Sequence, residues 1–349
     1  VKSKLKKNIY SHIKKLIRKI AIILFDRKKI LGVIKPFKHI LLINWNGKIG
    51  DAIVSSFLFR EIRKIENITI SVITTEHLKS LYTNYYNADN VYIVKNGFTL
   101  FDLIKVLNKI KDVDTIVPSM GILGFKEIYF ISKLNPKNVF SLDEELGLSN
   151  IKISENLFIH EIFYFILQKL DVHDINDKYI VPINMDNLKF VKGYDILLNP
   201  FASRIDKSLS IEKSIEILNL IGQTYPNKNI GVIYSPNTKK IAFDIMKKVI
   251  YENIYIIDYI DSFYDSINLI NKSNIIISVD TSIVHIASGL NKKLIAIYYK
   301  KDNVFNSWLP KKSSNTKVIF SLGTEHDLKK NMNNFDSYEI IKMIEYFIG

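Results

Sequence analysis

The 349-residue chain has no cysteine. Disulfides and thiolate chemistry are therefore excluded, and the composition fits a reducing compartment. A transmembrane span, which needs roughly 18 apolar residues, is also missing: the run Ile20–Phe25 is short and meets Asp26, Arg27, Lys28 and Lys29. A small-residue cleavage site does not follow it, so a signal peptide is not expected. Neither a G-x-G-x-x-G fingerprint nor a Gly-Lys-Ser/Thr phosphate loop occurs, which excludes the two commonest nucleotide cradles. His-Glu-x-x-His, a calcium loop and the G-x-S-x-G elbow are absent too. Histidines 12, 39, 77, 160, 173 and 326 lack metal-ligand spacing, so no metal is expected. Acid is nearly absent from residues 1–38, where Asp26 stands alone against thirteen Lys or Arg.

That imbalance accounts for most of the net charge of +14, leaving a nearly neutral body behind a basic arm. A nucleic-acid binder more often spreads basic residues over a folded face, so nucleic acid is not the expected partner. In the arm, Ile9, Ile13, Leu16, Ile17, Ile20 and Leu24 recur at helical spacing, with Lys6, Lys7, Lys14, Lys15, Arg18 and Lys19 between them. This is a basic amphipathic helix, suited to an anionic membrane surface through residues 1–34. Packing of its apolar side on the body is the competing reading.

The body is 47% hydrophobic and 24% charged, as in soluble globular proteins, and long enough for two domains. Strand-like runs at 40–45, 68–74, 91–94, 114–117 and 138–140 alternate with helical patterns at 52–65, 76–86, 100–110 and 124–134. A strongly apolar helix follows at 154–170, then a polar stretch punctuated by Pro182 and Gly193, which places the junction near 171–193. A second series has strands at 196–199, 230–234, 254–257, 275–279 and 294–298. Its helices fall at 211–225, 239–249, 263–271, 282–290 and 336–348, the last capped by Asp336 or Ser337. The fold class is α/β, with two Rossmann-like doubly wound domains facing a cleft formed by strand-to-helix loops. The expected layout is an arm at 1–38, a first domain at 39–180 and a second at 181–349. The last helix has the option of packing back on the first domain.

Four loops at strand ends carry the informative polar residues. In the first, Asn46, Gly47, Lys48 and Gly50 lead to Asp51, a carboxylate in the first turn of a helix, where N–H groups and the dipole favour its ionised form. A base and a mere helix-capping acid are both open. In the second, Ser203, Arg204 and Lys207 follow a strand and suit a diphosphate, against the plainer reading of a solvated basic loop. In the third, Asp280, Thr281 and Ser282 end a buried strand and open a helix, an anion site by construction, with His285 one turn in. The plainer reading of His285 is a core histidine. The fourth, Tyr234 to Asn237, is weak, and Asn237 reads as an N-cap.

Together these loops resemble glycosyltransferase family 9, the heptosyltransferases of lipopolysaccharide core assembly. ILLINWNGKIGDAIVSSFLFREIR is similar to that family's opening, LLNPFASRIDKSLSIEKSIEIL to its second motif, and ISVDTSIVHIASGLNKKLIAIYY to its third. The resemblance covers about residues 39–349 and leaves the arm outside. It implies a GT-B fold and an inverting, metal-independent transfer with a nucleotide sugar as co-substrate and no cofactor. Asp51 is implied as general base, in the acceptor loop with Asn46, Gly47, Lys48 and Gly50. Lys207 is implied to neutralise the leaving diphosphate with the helix N-terminus at Thr281–Ser282. Asp280 and His285 would shape the donor pocket, with Ser203 and Arg204 in lesser roles. The implied donor is ADP-heptose and the acceptor a phosphorylated glycolipid, met by a cytoplasmic enzyme peripheral on the inner face of the cytoplasmic membrane. A hexose or N-acetylhexosamine donor is one alternative. A non-catalytic basic protein that binds membrane or nucleic acid is another.

Overall fold

The computed structural model describes residues 2–183, 191–258, 260, 262–301, 307–323 and 331–349, with side chains from His12 onward and Lys301 excepted. His326 and the side chains of Lys6, Lys7 and Ile9 lie outside the described residues. The chain divides into unit 1, Val1–Asp177, and unit 2, Lys178–Gly349.

Unit 1 runs α1 (Lys2–Phe25), β1 (His39–Ile43), α2 (Ile49–Val54), α3 (Ser56–Ile62), β2 (Thr69–Thr74), β3 (Asn90–Ile93), α4 (Leu100–Leu107), β4 (Thr115–Val117), α5 (Phe125–Leu134), β5 (Asn138–Ser141), β6 (Ile151–Lys152) and α6 (Ile159–Lys169). Its parallel sheet is ordered β3-β2-β1-β4-β5-β6. Central β1 pairs Leu41 with Ser71 on one side and Ile116 on the other. Helices cover both faces, which is why Ile40, Leu41, Leu42 and Ile43 form an unbroken apolar run and are all buried.

Unit 2 repeats the plan with β7 (Ile196–Asn199), α7 (Ile211–Thr224), β8 (Ile230–Val232), α8 (Lys239–Met246), β9 (Ile254–Ile256), α9 (Phe263–Lys272), β10 (Ile275–Val279), α10 (Ser282–Gly289), β11 (Lys293–Lys301), β12 (Thr316–Gly323) and α11 (Tyr338–Ile348). The strand order β12-β11-β10-β7-β8-β9 is the same topology renumbered. Each sheet thus reverses direction once, between β1 and β4 and between β7 and β10. Ligands of doubly wound sheets bind outside the strand carboxyl ends at such reversals. The last helix puts Ile340, Ile344 and Phe347 into the core of unit 2 itself. Ser337 holds its cap position without a side-chain capping bond, and Asp336 just before it accepts from Tyr338 N at 3.0 Å.

The structure departs from the periodicity in three places. The helix expected at 52–65 starts earlier, at Ile49, and breaks at Ser55, whose hydroxyl donates to the Asp51 carbonyl at 2.8 Å. Gly50 therefore lies inside the helix rather than in the loop. Residues 76–86 are a 3-10 turn at Glu76–Leu78 and a π turn at Leu81–Tyr85, not an α-helix. The wider turn seats Tyr82 fully buried against Phe59 and Tyr86, with its hydroxyl on Asn44 at 2.7 Å. Strands β6 and β12 were not foreseen. Both are edge strands, one of two residues and one half-exposed.

Candidate functional site

In unit 1 the chain leaves β1 at buried Asn44, whose N–H still donates to Ile73 O at 2.9 Å. It then turns sharply through Gly47, at φ 64°. A Cβ there would collide with Thr75 Oγ1 and come within 2.7 Å of His77 Cε1, so only glycine fits. His77 closes the turn. Its Nε2–H donates to the Gly47 carbonyl at 2.9 Å, and its Nδ1 meets Thr75 Oγ1 at 3.1 Å. Asn46 Oδ1 accepts from Lys48 N at 3.1 Å, completing a braced loop that delivers Asp51 in the first turn of α2.

Asp51 is not the helix cap. That position belongs to Lys48, which makes no side-chain capping bond. The Asp51 carboxylate is half-buried, and burial raises its pKa above the ordinary carboxylate range; Lys48 and the Asn46 amide, 3.4 Å from Oδ2, oppose the rise. Desolvation outweighs the opposing charge and hydrogen bonds in setting this direction. The outcome is a carboxylate more basic than an aqueous one. Tyr82, beneath the loop, has its phenol pKa raised by burial.

In unit 2 the strand order sets the loops after β7 and β10 side by side. Asn199, at the end of β7, donates to Ser278 Oγ at 3.0 Å and to Thr281 Oγ1 at 3.2 Å. The loop is shaped by Ser208, whose hydroxyl accepts from Ala202 N at 2.8 Å. A 3-10 turn, Ile205–Lys207, then carries Lys207 across to Asp280, Nζ to Oδ2, at 2.5 Å. Side-chain exposures of 27% and 16% make this a largely enclosed pair. Thr281 caps α10, accepting from Ile283 N at 3.3 Å, and Ser282 begins the helix. Lys207 is therefore held at a helix N-terminus, where backbone N–H groups favour an anion.

The remaining predicted residues are placed differently. Arg204 is exposed and forked onto Asp206 at 2.9 and 2.5 Å, away from Asp280; that pairing raises its pKa. Ser203 is exposed on the same loop. His285 is buried in α10, one turn from Thr281, and stands edge-on to Trp308 with ring centroids 6.0 Å apart. In the weak fourth loop, Ser235 and Thr238 form the capping pair, and Asn237 does not. Sequence reasoning did not single out His77, Thr75 and Tyr298 for the site. Tyr298 is buried near Asp280, and its hydroxyl donates to Trp308 O at 2.9 Å. His77 had a usable signal: it directly follows β2, the neighbour of β1.

Comparison with known proteins bears on the fold and on unit 2 in particular. Residues 189–337, most of unit 2, match the family model of glycosyltransferase family 9 (heptosyltransferase). A curated relative from Escherichia coli K12, named "Putative lipopolysaccharide heptosyltransferase 4", is 22% identical over 285 residues, 75% of this chain and 74% of the relative. A glycosyltransferase family 9 structure from Veillonella parvula superposes with a TM-score of 0.73 at 14% identity, over 91% of this chain and 99% of that one. The E. coli heptosyltransferase WaaC, solved with ADP, gives 0.63 at 12% identity, over 88% and 99%. The fold is GT-B-like, and most of unit 2 is similar to glycosyltransferase family 9, the heptosyltransferase family.

Proposed function

We propose that the chain transfers a heptose from ADP-heptose to a lipopolysaccharide core acceptor, with inversion and without a metal. The observation that carries this reading is the Lys207–Asp280 pair, 2.5 Å apart at the switch point of the unit that matches the family. Before donor binds, Asp280 neutralises Lys207. A nucleoside diphosphate at the N-terminus of α10 offers the ammonium a more highly charged partner, and the N–H groups of the first turn add to it.

In the transfer, Asp51 takes the proton of an acceptor hydroxyl. The oxygen bonds to the anomeric carbon on the face opposite the diphosphate, and the bond from that carbon to the diphosphate oxygen breaks. The electron pair leaves on the diphosphate, facing Lys207, and the proton ends on Asp51. Burial of Asp51 serves this step, because a base works better as its pKa approaches the working pH. The acceptor is a phosphorylated glycolipid on the inner face of the cytoplasmic membrane, where residues 1–34 hold the enzyme peripherally.

A thermal-shift panel of ADP, UDP, GDP and their sugars tests the donor assignment, followed by mass-spectrometric assay of sugar transfer. Stabilisation selective for ADP and ADP-heptose is expected. Selective stabilisation by a UDP- or GDP-hexose would replace the heptose reading with a hexose or N-acetylhexosamine one.

A further inference from the structure

Helix α1 is pinned to the rest of unit 1 through one arc of its surface. Arg18 Nη2 contacts both Asp143 oxygens at 2.8 Å, Nη1 contacts Glu145 Oε2 at 2.7 Å, and Nε donates to Leu123 O at 3.1 Å. Ala21 is fully buried, and Phe25 stands edge-on to Phe125 and Tyr129 at 5.9 and 5.2 Å. Just after the helix, Asp26 accepts from Gly147 N and Leu148 N. With 3.6 residues per turn, Arg18, Ala21, Ile22 and Phe25 share one arc. Ile13, Leu16, Ile17, Ile20, Ile23 and Leu24 fall on the opposite arc. They are between 42% and 81% exposed. Among the described residues, Ile13, Leu16, Ile17, Ile20 and Leu24 of the amphipathic pattern thus point away from the body, and Ile30, Leu31, Val33 and Ile122 are exposed as well.

We infer that this outward face of α1 is the surface by which the protein lies on an anionic bilayer, and that it brings the bilayer to the edge of unit 1 that carries Asp51. Six large exposed apolar side chains on one arc of a single helix are unusual on a soluble monomer. Charge selects the occupant. Residues 1–38 hold thirteen basic side chains and one acid, so two such faces repel each other while an anionic surface attracts. Exposed Lys15 and Lys19 flank the stripe, as basic residues do on helices lying in a membrane interface. α1 does not meet the length and apolarity of a membrane span.

The pinning also sets direction. Leu123 follows β4 and Asp143 follows β5, so Arg18 sits at the carboxyl edge of the sheet, the edge of the Asn44–Asp51 loop. From there the chain descends to the amino edge, where Lys35 N donates to Asn138 and Lys38 N to Asp114. The helix N-terminal to Arg18 therefore extends past the carboxyl edge, for about 24 Å at 1.5 Å per residue. On the transfer reading, with which this stands, a glycolipid presents its headgroup to Asp51 without leaving the membrane.

The test uses the full chain and needs no sugar transfer, so it fails or succeeds independently of the donor reading. Sedimentation with phosphatidylglycerol-containing vesicles is compared with sedimentation with phosphatidylcholine vesicles. Binding to the anionic vesicles alone, weakened by salt, is expected. The variant Ile17→Asp/Ile20→Asp/Leu24→Asp should lose at least tenfold in partition at an unchanged unfolding temperature. Because the chain has no cysteine, Ile20→Cys, Ile122→Cys and Lys111→Cys each carry one environment-sensitive dye. Blue shifts on vesicles at 20 and 122, but not at the amino-edge position 111, are expected. Unchanged binding by the triple variant would overturn the inference. So would a dimer, seen by light scattering, that the triple variant dissolves without any vesicle binding in the wild type.

Discussion

Replacing Asp51 with Asn separates a catalytic base from a structural acid, because the two roles predict opposite stability effects. The substitution keeps the shape and leaves an amide beside Asn46, but removes the charge. General-base assistance is typically worth 10²–10⁴-fold, about 2.7–5.5 kcal/mol of barrier, so kcat should fall by that factor with KM little changed. Stability should move the other way. Burial raises the folded pKa of Asp51 above its unfolded value. The folded state therefore holds its proton more tightly, and wild-type stability falls as pH rises through the folded pKa. Above that range the buried charge is a standing cost, which Asn removes. Differential scanning calorimetry at pH 7 should then show the variant at least as stable as wild type, with the two curves converging toward pH 4. The wild-type pH–rate profile should lose activity on its acid side at a pH above the ordinary aspartate value of about 3.9. Full transfer activity in Asp51→Asn would refute the base assignment. A clear drop in unfolding temperature at pH 7 would show that the carboxylate is structural.

In unit 2, Lys207→Met should shrink the ADP-induced thermal shift, with at least a tenfold weaker Kd by calorimetry. It should also cost about 1–3 kcal/mol of stability, between exposed and fully buried ion pairs, because it strands Asp280. Gly47→Ala forces a Cβ into the Thr75–His77 brace at positive φ; about 1–2 kcal/mol is expected from the backbone alone, with kcat falling more than KM. Arg18→Ala leaves the 3%-exposed Asp143 without its cation. A loss of about 3–5 kcal/mol is expected by denaturant titration, with faster tryptic cleavage before residue 30.

The central strands were legible in the sequence because strands covered on both faces must be apolar at every position. Ile40–Ile43 and Ile275–Ile277 show that pattern, and nothing competes with it. Edge strands carry no such requirement. In β12 the order Thr316, Lys317, Val318, Ile319 has one covered face, and its signal is no stronger than a loop's. Residues 76–86 show the other kind of failure. Their apolar spacing suits an α-helix, but the Asn44 amide binds the Tyr82 hydroxyl from 38 residues away, and a wider turn wins. Local periodicity contains no information about that bond.

The site divides along the same line. Lys207 and Asp280 were each visible as polar residues at a strand end, but each alone had an ordinary explanation. They are 73 residues apart in sequence, and the strand order places β7 beside β10, which lets one meet the other. The same reversal in unit 1 places the Asp51 loop beside β4 and, through β2, beside His77. Arg204 shows that residue type was not the criterion. It has the charge expected of a phosphate ligand and lies three residues from Lys207, yet Asp206 on its own turn captures it. What distinguishes Lys207 is that its partner comes from the neighbouring strand at a helix N-terminus. On the proposed reading, an arriving diphosphate would compete with one carboxylate for a cation already in place, so donor affinity should depend on Asp280 as well as on Lys207. Asp280→Asn frees Lys207 from that competition and should bind ADP at least as tightly as wild type. Weaker binding would mean that Asp280 positions Lys207 rather than competing for it.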